Sequence, residues 1–399
     1  MKAENREAAM RTKKLFFISI IMVLLITGVV SAENWNSYEL TDYIARFPSF
    51  LTDHDLLVIA VSEDRKDVYL LWYQDGVLFR KTAFEKTSPT WIHPLSVDNS
   101  VCRFVIERSG GTDLENDSNL GLLTLYLWRG DTPEIEKEWQ LKNGDAAYDP
   151  RNGFFIISET NALNTTLTLY NCDGKALWGP ETFSRDFSQD SLHFLTGNGK
   201  GVWAVDFIGE TRTNNRNYIL MFSEGLMVSE IGERLTNSML PSGNLPIVKE
   251  LKKTEDTSYC SLQLEIFGLD GNLLYSSTLT GENLTLGIKL VFENSFGGYE
   301  LYGTAMSNSR RIYTVWHIST DAFLRQTAME VRNLDRYRNY GARLIAQPDG
   351  TVWVFAEDYE SFSHPPVLIP YSALPRTEEC ELRMSDVIGE KTPGCSNGI

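Results

Sequence analysis

The chain has 399 residues, 53 of them acidic and 37 basic, which gives a formal net charge of −16 at pH 7. This acidity disfavours nucleic acid and anionic membrane surfaces as partners. The five cysteines form no CxxC pair or Cys/His cluster, which argues against a zinc site.

The first 32 residues are typical of a secretory signal peptide. A basic region ends at Lys14, a mainly apolar run covers residues 15–30, and small residues reach Ala32, where cleavage is expected. We therefore expect a secreted or cell-surface, extracytoplasmic protein without a membrane span after leader cleavage. The alternative is an uncleaved segment that anchors the protein, although 16 residues are short for a span of about 20.

A pattern of two alternating apolar strands joined by a short turn recurs six times along the chain. The turns centre on Gly76, Gly130, Gly174, Gly225, Gly271 and Ala322, with successive gaps of 54, 44, 51, 46 and 51 residues. An acidic residue followed by Gly between two such strands indicates a hairpin. Repeats of about 40–50 residues with several strands each indicate a β-propeller. A weaker seventh copy covers residues 367–375.

We predict an all-β fold, a β-propeller of seven four-stranded blades over residues 33–379, with six blades as the alternative. Dividing the 367 residues that follow the leader among seven blades gives about 52 each, as is usual for such repeats. The strand that closes the ring could come from residues 35–44 or from residues 380–387, and the sequence does not choose between them. Residues 380–399 are predicted to be a C-terminal tail, and a disulfide between Cys380 and Cys395 is left open.

Two segments carry a family resemblance. FGGYELYGTAMSNSRRIYTVWHISTDAFLRQTAMEV (296–331) resembles the repeats of bacterial and archaeal extracytoplasmic β-propellers, and PDGTVWVFAED (348–358) is similar to a propeller strand. The resemblance implies the fold and an extracytoplasmic setting. It transfers no site residue, because that superfamily has many functions.

The candidate site is a ring of carboxylates. The second strand of most blades is predicted to end in an acidic residue, and all connections from second to third strands emerge on one face of a propeller. Such a face would attract cations or a basic partner, whereas the alternative is a set of solvated carboxylates that aid solubility. The candidate residues are Glu63, Glu107, Glu159, Glu210, Glu255 and Glu357.

One acidic loop could bind a metal ion. Within residues 110–121, Asp113, Glu115, Asp117 and Asn119 stand at alternate positions, a spacing that could wrap Ca²⁺. The loop lacks the central Gly and distal Glu of an EF-hand, so a solvated loop is favoured. We predict no cofactor and keep Ca²⁺ as the minor alternative.

No catalytic residue is predicted. The chain contains no GxSxG or HExxH motif. Asp190, Ser191 and His193 are close in sequence, but neighbouring strand positions point to opposite faces and do not make a triad.

The tryptophans are predicted to be mainly core residues. Six of them fall within alternating strands and are expected to pack between blades: Trp72, Trp128, Trp178, Trp203, Trp316 and Trp353. Trp91 and Trp139 are the better surface candidates.

The sequence favours a monomeric, non-enzymatic binding or scaffold protein that takes a protein, peptide or glycan at one face. Two alternatives stay open. One is a secreted polysaccharide hydrolase or lyase that uses carboxylates at the channel mouth. The other is a membrane-tethered sensor or assembly domain, which depends on whether the leader is cleaved.

Overall fold

The computed structural model describes most of the chain from Tyr43 to Asp386. The described residues are 43–62, 67–85, 90–98, 100–108, 112–113, 118–142, 144–161, 164–183, 190–210, 215–233, 236–251, 259–282, 284–307, 313–334, 340–358, 367–377 and 382–386. The leader, most of the tail, Cys380 and Cys395 lie outside this part. No helix within it has the length and apolar character needed to cross a membrane.

Seven antiparallel sheets form a ring, which confirms a seven-bladed β-propeller. Blades 1 to 3 contain β1 (Tyr43–Phe50), β2 (Asp55–Ser62), β3 (Asp67–Gln74) and β4 (Val77–Glu85); β5 (Thr90–Asp98), β6 (Val101–Arg108), β7 (Thr112–Asp113), β8 (Ser118–Trp128) and β9 (Glu134–Lys142); and β10 (Gly144–Asp149), β11 (Phe154–Asn161), β12 (Asn164–Asn171) and β13 (Ala176–Phe183). Blade 4 contains β14 (Asp190–Gly197), β15 (Val202–Glu210), β16 (Asn215–Ser223) and β17 (Leu226–Ile231).

The last three blades complete the ring. They contain β18 (Leu245–Leu251), β19 (Tyr259–Phe267), β20 (Leu273–Glu282) and β28 (Leu382–Asp386) in blade 5; β21 (Leu284–Glu293), β22 (Tyr299–Ser307), β23 (Tyr313–Thr320) and β24 (Gln326–Asn333) in blade 6; and β25 (Tyr340–Ala346), β26 (Val352–Asp358) and β27 (Val367–Pro370) in blade 7. The helical content of the described residues is one 3-10 turn, Tyr371–Ala373.

The repeated turns form the predicted hairpins. Asp75 and Gly76 between β3 and β4 both have positive φ, 49° and 79°, as a two-residue hairpin turn with matching twist requires. Successive side chains of each strand then point alternately towards one neighbouring blade and towards the other. The apolar core therefore lies between adjacent blades.

The core tryptophans fill these inter-blade spaces, as predicted. Five are buried, with at most 4% of the residue exposed: Trp72, Trp128, Trp203, Trp316 and Trp353. Trp178 is half-buried and packs against Trp203 and Phe222 of the next blade.

The turn between the third and fourth strands also fastens one blade to the previous one. Lys137 Nζ donates to the carbonyl oxygen of Gly174 at 2.9 Å, and Trp178 Nε1 donates to that of Gly225 at 2.6 Å. Ser229 Oγ donates to the carbonyl oxygen of Leu269 at 3.2 Å. Three successive blade junctions thus repeat one contact, from an outermost strand to the following blade's turn.

Blade 5 departs from the pattern at its innermost position. Its Asp-Gly turn joins β19 to β20, so β18 holds the second position and residues 236–240 hold the first without forming a regular strand. The backbone N–H of Met239 in this segment donates to Thr196 Oγ1 of the innermost strand of blade 4 at 2.8 Å. The tight turn that follows, with Leu240 N–H bonded to Asn244 O at 2.9 Å, is the usual link from first to second strand.

The C-terminal part of the chain turns back over blades 6 and 5. Asn333 N–H and Thr377 N–H pair the segment after blade 7 with β24, and β28 then adds to the outer edge of β20. The 380–387 alternative for ring closure is therefore replaced by pairing with blade 5. Residues 35–42 of the other alternative lie outside the described part.

Blades 7 and 1 meet through turn contacts. Gln347 Nε2 donates to the carbonyl oxygen of Asp53 at 2.8 Å, and Asp349 N–H donates to Asp53 Oδ1 at 2.9 Å. The rings of Phe50 and Trp353 lie 5.8 Å apart beneath them. Side-chain packing and these hydrogen bonds close the ring between the described strands.

Candidate functional site

The residues of the predicted carboxylate ring lie at the ends of second strands or in the connections that follow them. Glu107 and Glu159 lie near the ends of β6 and β11, Glu210 ends β15, and Glu357 is the penultimate residue of β26. These four strands end on one face. The side chains of Glu210 and Glu357, and all of Glu63 and Glu255, are outside the described part of the chain. A functional role for this ring stays a prediction.

Glu107 is engaged in packing between blades 2 and 3. Tyr148 Oη donates to Glu107 Oε2 at 3.0 Å, and His93 stacks on Tyr148 with ring centroids 3.6 Å apart. His93 Nε2 is 3.6 Å from the same carboxylate oxygen, which is beyond hydrogen-bond distance. Burial and the nearby carboxylate raise the pKa of Tyr148, so this hydroxyl stays a proton donor.

Asp145, on the innermost strand of blade 3, is a second carboxyl group near Tyr148. Burial raises its pKa to about 6, and the charge of Glu107 adds to the rise. Hydrogen bonds from the backbone N–H groups of Ala146 and Leu192 oppose this shift. The bond from Leu192 links blade 3 to blade 4, so Asp145 has a structural role in the inner ring.

A second group of ionisable residues surrounds a cavity on the side of blade 6 that faces blade 7, which we call the pocket between blades 6 and 7. Its volume is about 590 Å³, within the range of ligand pockets. β23 and β24 form one wall, and the chain after β27 forms the other. The lining residues are His317, Ser319, Ala328, Met329, Glu330, Val331, Arg376 and Thr377.

Strand register explains how the polar groups meet. In the β22–β23 ladder Glu300 lies opposite Ser319, and Tyr302 lies opposite His317. Residues two apart share a face of the sheet, so all four side chains project towards blade 7. Blade 7 has three strands among the described residues, which leaves this outer part of blade 6 without a facing fourth strand.

Glu300 is the centre of the polar network. Ser319 Oγ donates to its Oε2 at 2.7 Å, Asn294 Nδ2 donates to its Oε1 at 3.0 Å, and His317 Nε2 lies 2.5 Å from its Oε2. Burial alone would raise the pKa of Glu300, but the hydrogen bonds of Ser319, His317 and Asn294 outweigh it and hold the pKa below its usual value. Glu300 is therefore a fixed negative charge at neutral pH.

Aromatic rings fix the imidazole from behind. Tyr302 stacks on His317 with centroids 4.3 Å apart and an interplanar angle of 9°, and Tyr371 approaches both rings edge-on. Burial raises the pKa of Tyr302 to about 12. His317 is thus held in one orientation at the pocket wall.

Two arginines balance Glu330, the carboxylate that lines the pocket. Glu330 Oε1 accepts from Arg332 at 2.7 Å and also pairs with the exposed guanidinium of Arg376. Arg332 further donates to the carbonyl oxygens of Ser372 and Leu374. These bonds attach the chain after blade 7 to blade 6 and form the charged rim of the cavity.

The Ser319 hydroxyl is held by a carboxylate. The hydroxyl of Ser319 donates to Glu300, so it is not activated by His317 as a nucleophile would be. Within the described ranges, no three His, Cys, Asp or Glu residues come together as a metal site. The sequence reasoning missed this pocket, and the available signal was the alternation of Glu300 with Tyr302 and of His317 with Ser319.

The remaining sequence candidates are dispersed. His193 lies with Nδ1 3.5 Å from Asp206 Oδ2. Residues 114–117 of the acidic loop lie outside the described part, so Ca²⁺ binding there stays untested. Trp91 is 48% exposed on an innermost strand, whereas Trp139 packs against Phe155 and Tyr170.

Comparisons with known proteins give similar folds and no family. No protein-family model matches the chain, and no curated protein matches it. A prolyl endopeptidase structure is similar with a TM-score of 0.45 and 11% identity, over 90% of this chain and 53% of that one. The chain therefore spans about half the length of that enzyme.

Two smaller proteins are also similar. Regucalcin from Agrobacterium tumefaciens, described as a calcium-binding protein, has a TM-score of 0.30 and 14% identity over 65% of this chain and 81% of its own. TolB from Acinetobacter baumannii has a TM-score of 0.28 and 12% identity over 72% of this chain and 65% of its own. At these scores the likenesses carry no argument about function.

Proposed function

We propose that this protein is a non-enzymatic, extracytoplasmic β-propeller that binds a peptide segment of a partner protein in the pocket between blades 6 and 7. The observation that carries the proposal is the network around Glu300. Glu300 holds His317 and Ser319 in place, and these two side chains line a cavity of about 590 Å³ that has Arg376 at its rim. Groups held in place before binding lose little conformational entropy when a ligand arrives.

A peptide suits this pocket better than a glycan. Sugar rings stack on exposed aromatic faces, but the faces here are occupied, since Tyr302 is stacked on His317 and Tyr371 is 6% exposed. The pocket lining offers carboxylate acceptors at Glu330 and donors at Arg376, which match the amide groups and charged side chains of a peptide.

Secretion rests on the sequence of the leader. The basic region, apolar run and small-residue exit of residues 1–32 support export and cleavage. N-terminal sequencing of the exported protein should find Glu33 as the first residue. Recovery of intact residues 1–32 in a membrane fraction would favour the tethered alternative instead.

Selection from a phage-displayed random peptide library tests the binding function. We expect enriched peptides that bind the wild type and lose at least about tenfold in affinity, on the order of 1.4 kcal/mol, with Glu300→Gln or Arg376→Ala. The matched control is Glu134→Gln, which removes an exposed pairing with Arg129 and should leave binding unchanged.

Three results would contradict the proposal. They are the absence of any enriched peptide, peptides whose affinity ignores both pocket variants, and a glycan array on which the protein binds sugars through Glu300. Hydrolysis of a polysaccharide that Glu107→Gln abolishes would favour the enzyme alternative.

A further inference from the structure

The outermost strand of blade 4 presents an unusual apolar surface. Three consecutive side chains of β17 are exposed, with Leu226 at 72%, Met227 at 50% and Val228 at 42%. Leu226 lies opposite Ser223 and Met227 lies opposite Phe222, so these two side chains point to opposite sides, and Val228 is the extra residue of a β-bulge. Both sides of this strand therefore carry exposed apolar side chains. Runs of exposed apolar residues of this kind are rare on protein surfaces outside interaction sites.

The apolar surface continues onto blade 5. Ser229 Oγ donates to the carbonyl oxygen of Leu269 at 3.2 Å, which joins β17 to the turn that precedes β20. Directly after that turn, Leu273 is 50% exposed and Leu274 is 43% exposed. Five exposed apolar side chains therefore lie on two joined blades.

The backbone of β17 is also available along its outer edge. Among the described strands β17 pairs with β16 alone. Unpaired outer edges are usually short, charged or covered, because they accept further strands. Here the edge is beside the five exposed apolar side chains of blades 4 and 5.

Blade 5 shows what covers such an edge in this molecule. β28 pairs with the outer edge of β20 over five residue pairs, and Leu382 of β28 is 3% exposed within the inter-blade core. The sequence of the added strand begins Leu382-Arg383-Met384, in which a basic residue stands between two apolar ones.

The charges near β17 select the kind of occupant. Glu224, in the turn before the strand, is exposed, and the carboxylates of the whole chain give it a net charge of −16. A second copy would bring the same carboxylates and the same net charge to the edge, which is unfavourable. A segment with basic residues would complement them.

We propose that the outer edge of β17 binds an extended segment of a partner protein as an added strand, in which apolar residues alternate with Lys or Arg. Backbone hydrogen bonds would supply part of the affinity, and the apolar side chains of the segment would contact the exposed side chains of β17 and Leu273 of blade 5. This edge belongs to blade 4, so the proposal holds or fails independently of the pocket between blades 6 and 7.

Fluorescence anisotropy with a labelled KVRLKVK peptide tests the proposal on the full protein. We expect saturable binding that Leu226→Ser with Val228→Ser weakens at least about tenfold. The control pair Val77→Ser with Phe79→Ser, on the outermost strand of blade 1, should leave the dissociation constant unchanged. A peptide of the same pattern with Glu in place of Lys and Arg should not bind.

Two further measurements keep the outcome decisive if the double serine variant is unstable. Glu224→Lys should weaken binding of the basic peptide, and amide hydrogen exchange over residues 226–231 should slow when it binds. Lack of saturable binding, equal weakening by the control pair, or slowed exchange at other strands would overturn the proposal. Concentration-dependent dimerisation that Leu226→Ser abolishes would also overturn it, because a second copy would then be the occupant.

Discussion

At the scale of single residues, burial and hydrogen bonding shift two carboxyl groups in opposite directions. Glu300 accepts bonds from three neighbours that hold its pKa low, whereas the burial of Asp145 raises its pKa to about 6. The first group therefore stabilises the fold in its charged form, and the second does so in its protonated form. The two groups give opposite predictions for the pH dependence of stability.

Replacing Glu300 by Gln should lower the free energy of unfolding by about 1–2 kcal/mol at pH 7, because hydrogen bonds to a charged group are lost or weakened. The stabilisation by Glu300 is present above its unfolded pKa of about 4.3 and is lost as the pH falls through the lower folded pKa. Urea denaturation at pH 7 and pH 3 should show this difference shrinking in acid. Glu134→Gln, at an exposed ion pair, should change stability by less than about 0.5 kcal/mol. A larger effect of this control would mean that the loss in Glu300→Gln is not specific to the hydrogen bonds of Glu300.

Replacing Asp145 by Asn should have the opposite pH dependence. The folded state keeps the proton of Asp145 to a higher pH than the unfolded chain does, so its stabilising effect is complete below about pH 3.9 and is lost as the pH rises through about 6. The stability of Asp145→Asn relative to wild type should therefore rise between about pH 4 and pH 6. A relative stability that stays flat over this interval would show that Asp145 is not shifted.

At the scale of elements, the recurring turn both starts the outermost strand and contacts the previous blade. Gly225 has φ of 80°, and a Cβ atom at this position would lie 2.9 Å from Trp178 Cδ1. Gly130, at the corresponding turn of blade 2, has open space around such a Cβ atom. The two glycines form a natural matched pair.

Gly225→Ala should destabilise the protein by about 1–3 kcal/mol, through both the strained φ and the contact with Trp178. Gly130→Ala should change the free energy of unfolding by less than about 0.5 kcal/mol. Thermal or urea unfolding of both variants checks this pair. Equal effects of the two substitutions would mean that the turn of blade 4 does not fasten it to blade 3.

The sequence predicts these local elements well and their partners less well. The Asp75-Gly76 turn and the strands around it follow from residue type and alternation. Residues 236–240 hold the innermost position of blade 5 without alternating, so no sequence pattern indicates a strand there. The pocket requires knowledge of which residue lies opposite Ser319, and a single sequence does not specify cross-strand register.

At the scale of the whole molecule, the C-terminal chain connects blades that are distant in sequence. β28 pairs with a strand about 100 residues earlier, and this choice depends on which edges the folded ring leaves open. Its apolar residues predict a strand, but the available edge decides where the strand binds. For this reason the sequence alone allowed residues 380–387 to be predicted as a strand of the last blade, whereas the structure places β28 on blade 5.

Removing residues 382–399 should expose the outer edge of β20 and the core around Leu382. We expect a lower melting temperature and concentration-dependent association in light scattering, because an apolar edge becomes free. Removing residues 388–399 alone keeps β28 and serves as the control. Equal melting temperatures for both truncated proteins would show that β28 contributes nothing to blade 5.

The central claim is that the pocket between blades 6 and 7 binds a peptide. The most direct test is amide hydrogen exchange of the protein with and without a peptide selected from the random library. We predict slower exchange in β23 and β24 around His317 and Glu330, and no such change in Glu300→Gln. Slowed exchange at the ends of β6 and β11 instead, with β23 and β24 unchanged, would contradict the claim and assign binding to the face that carries Glu107 and Glu159.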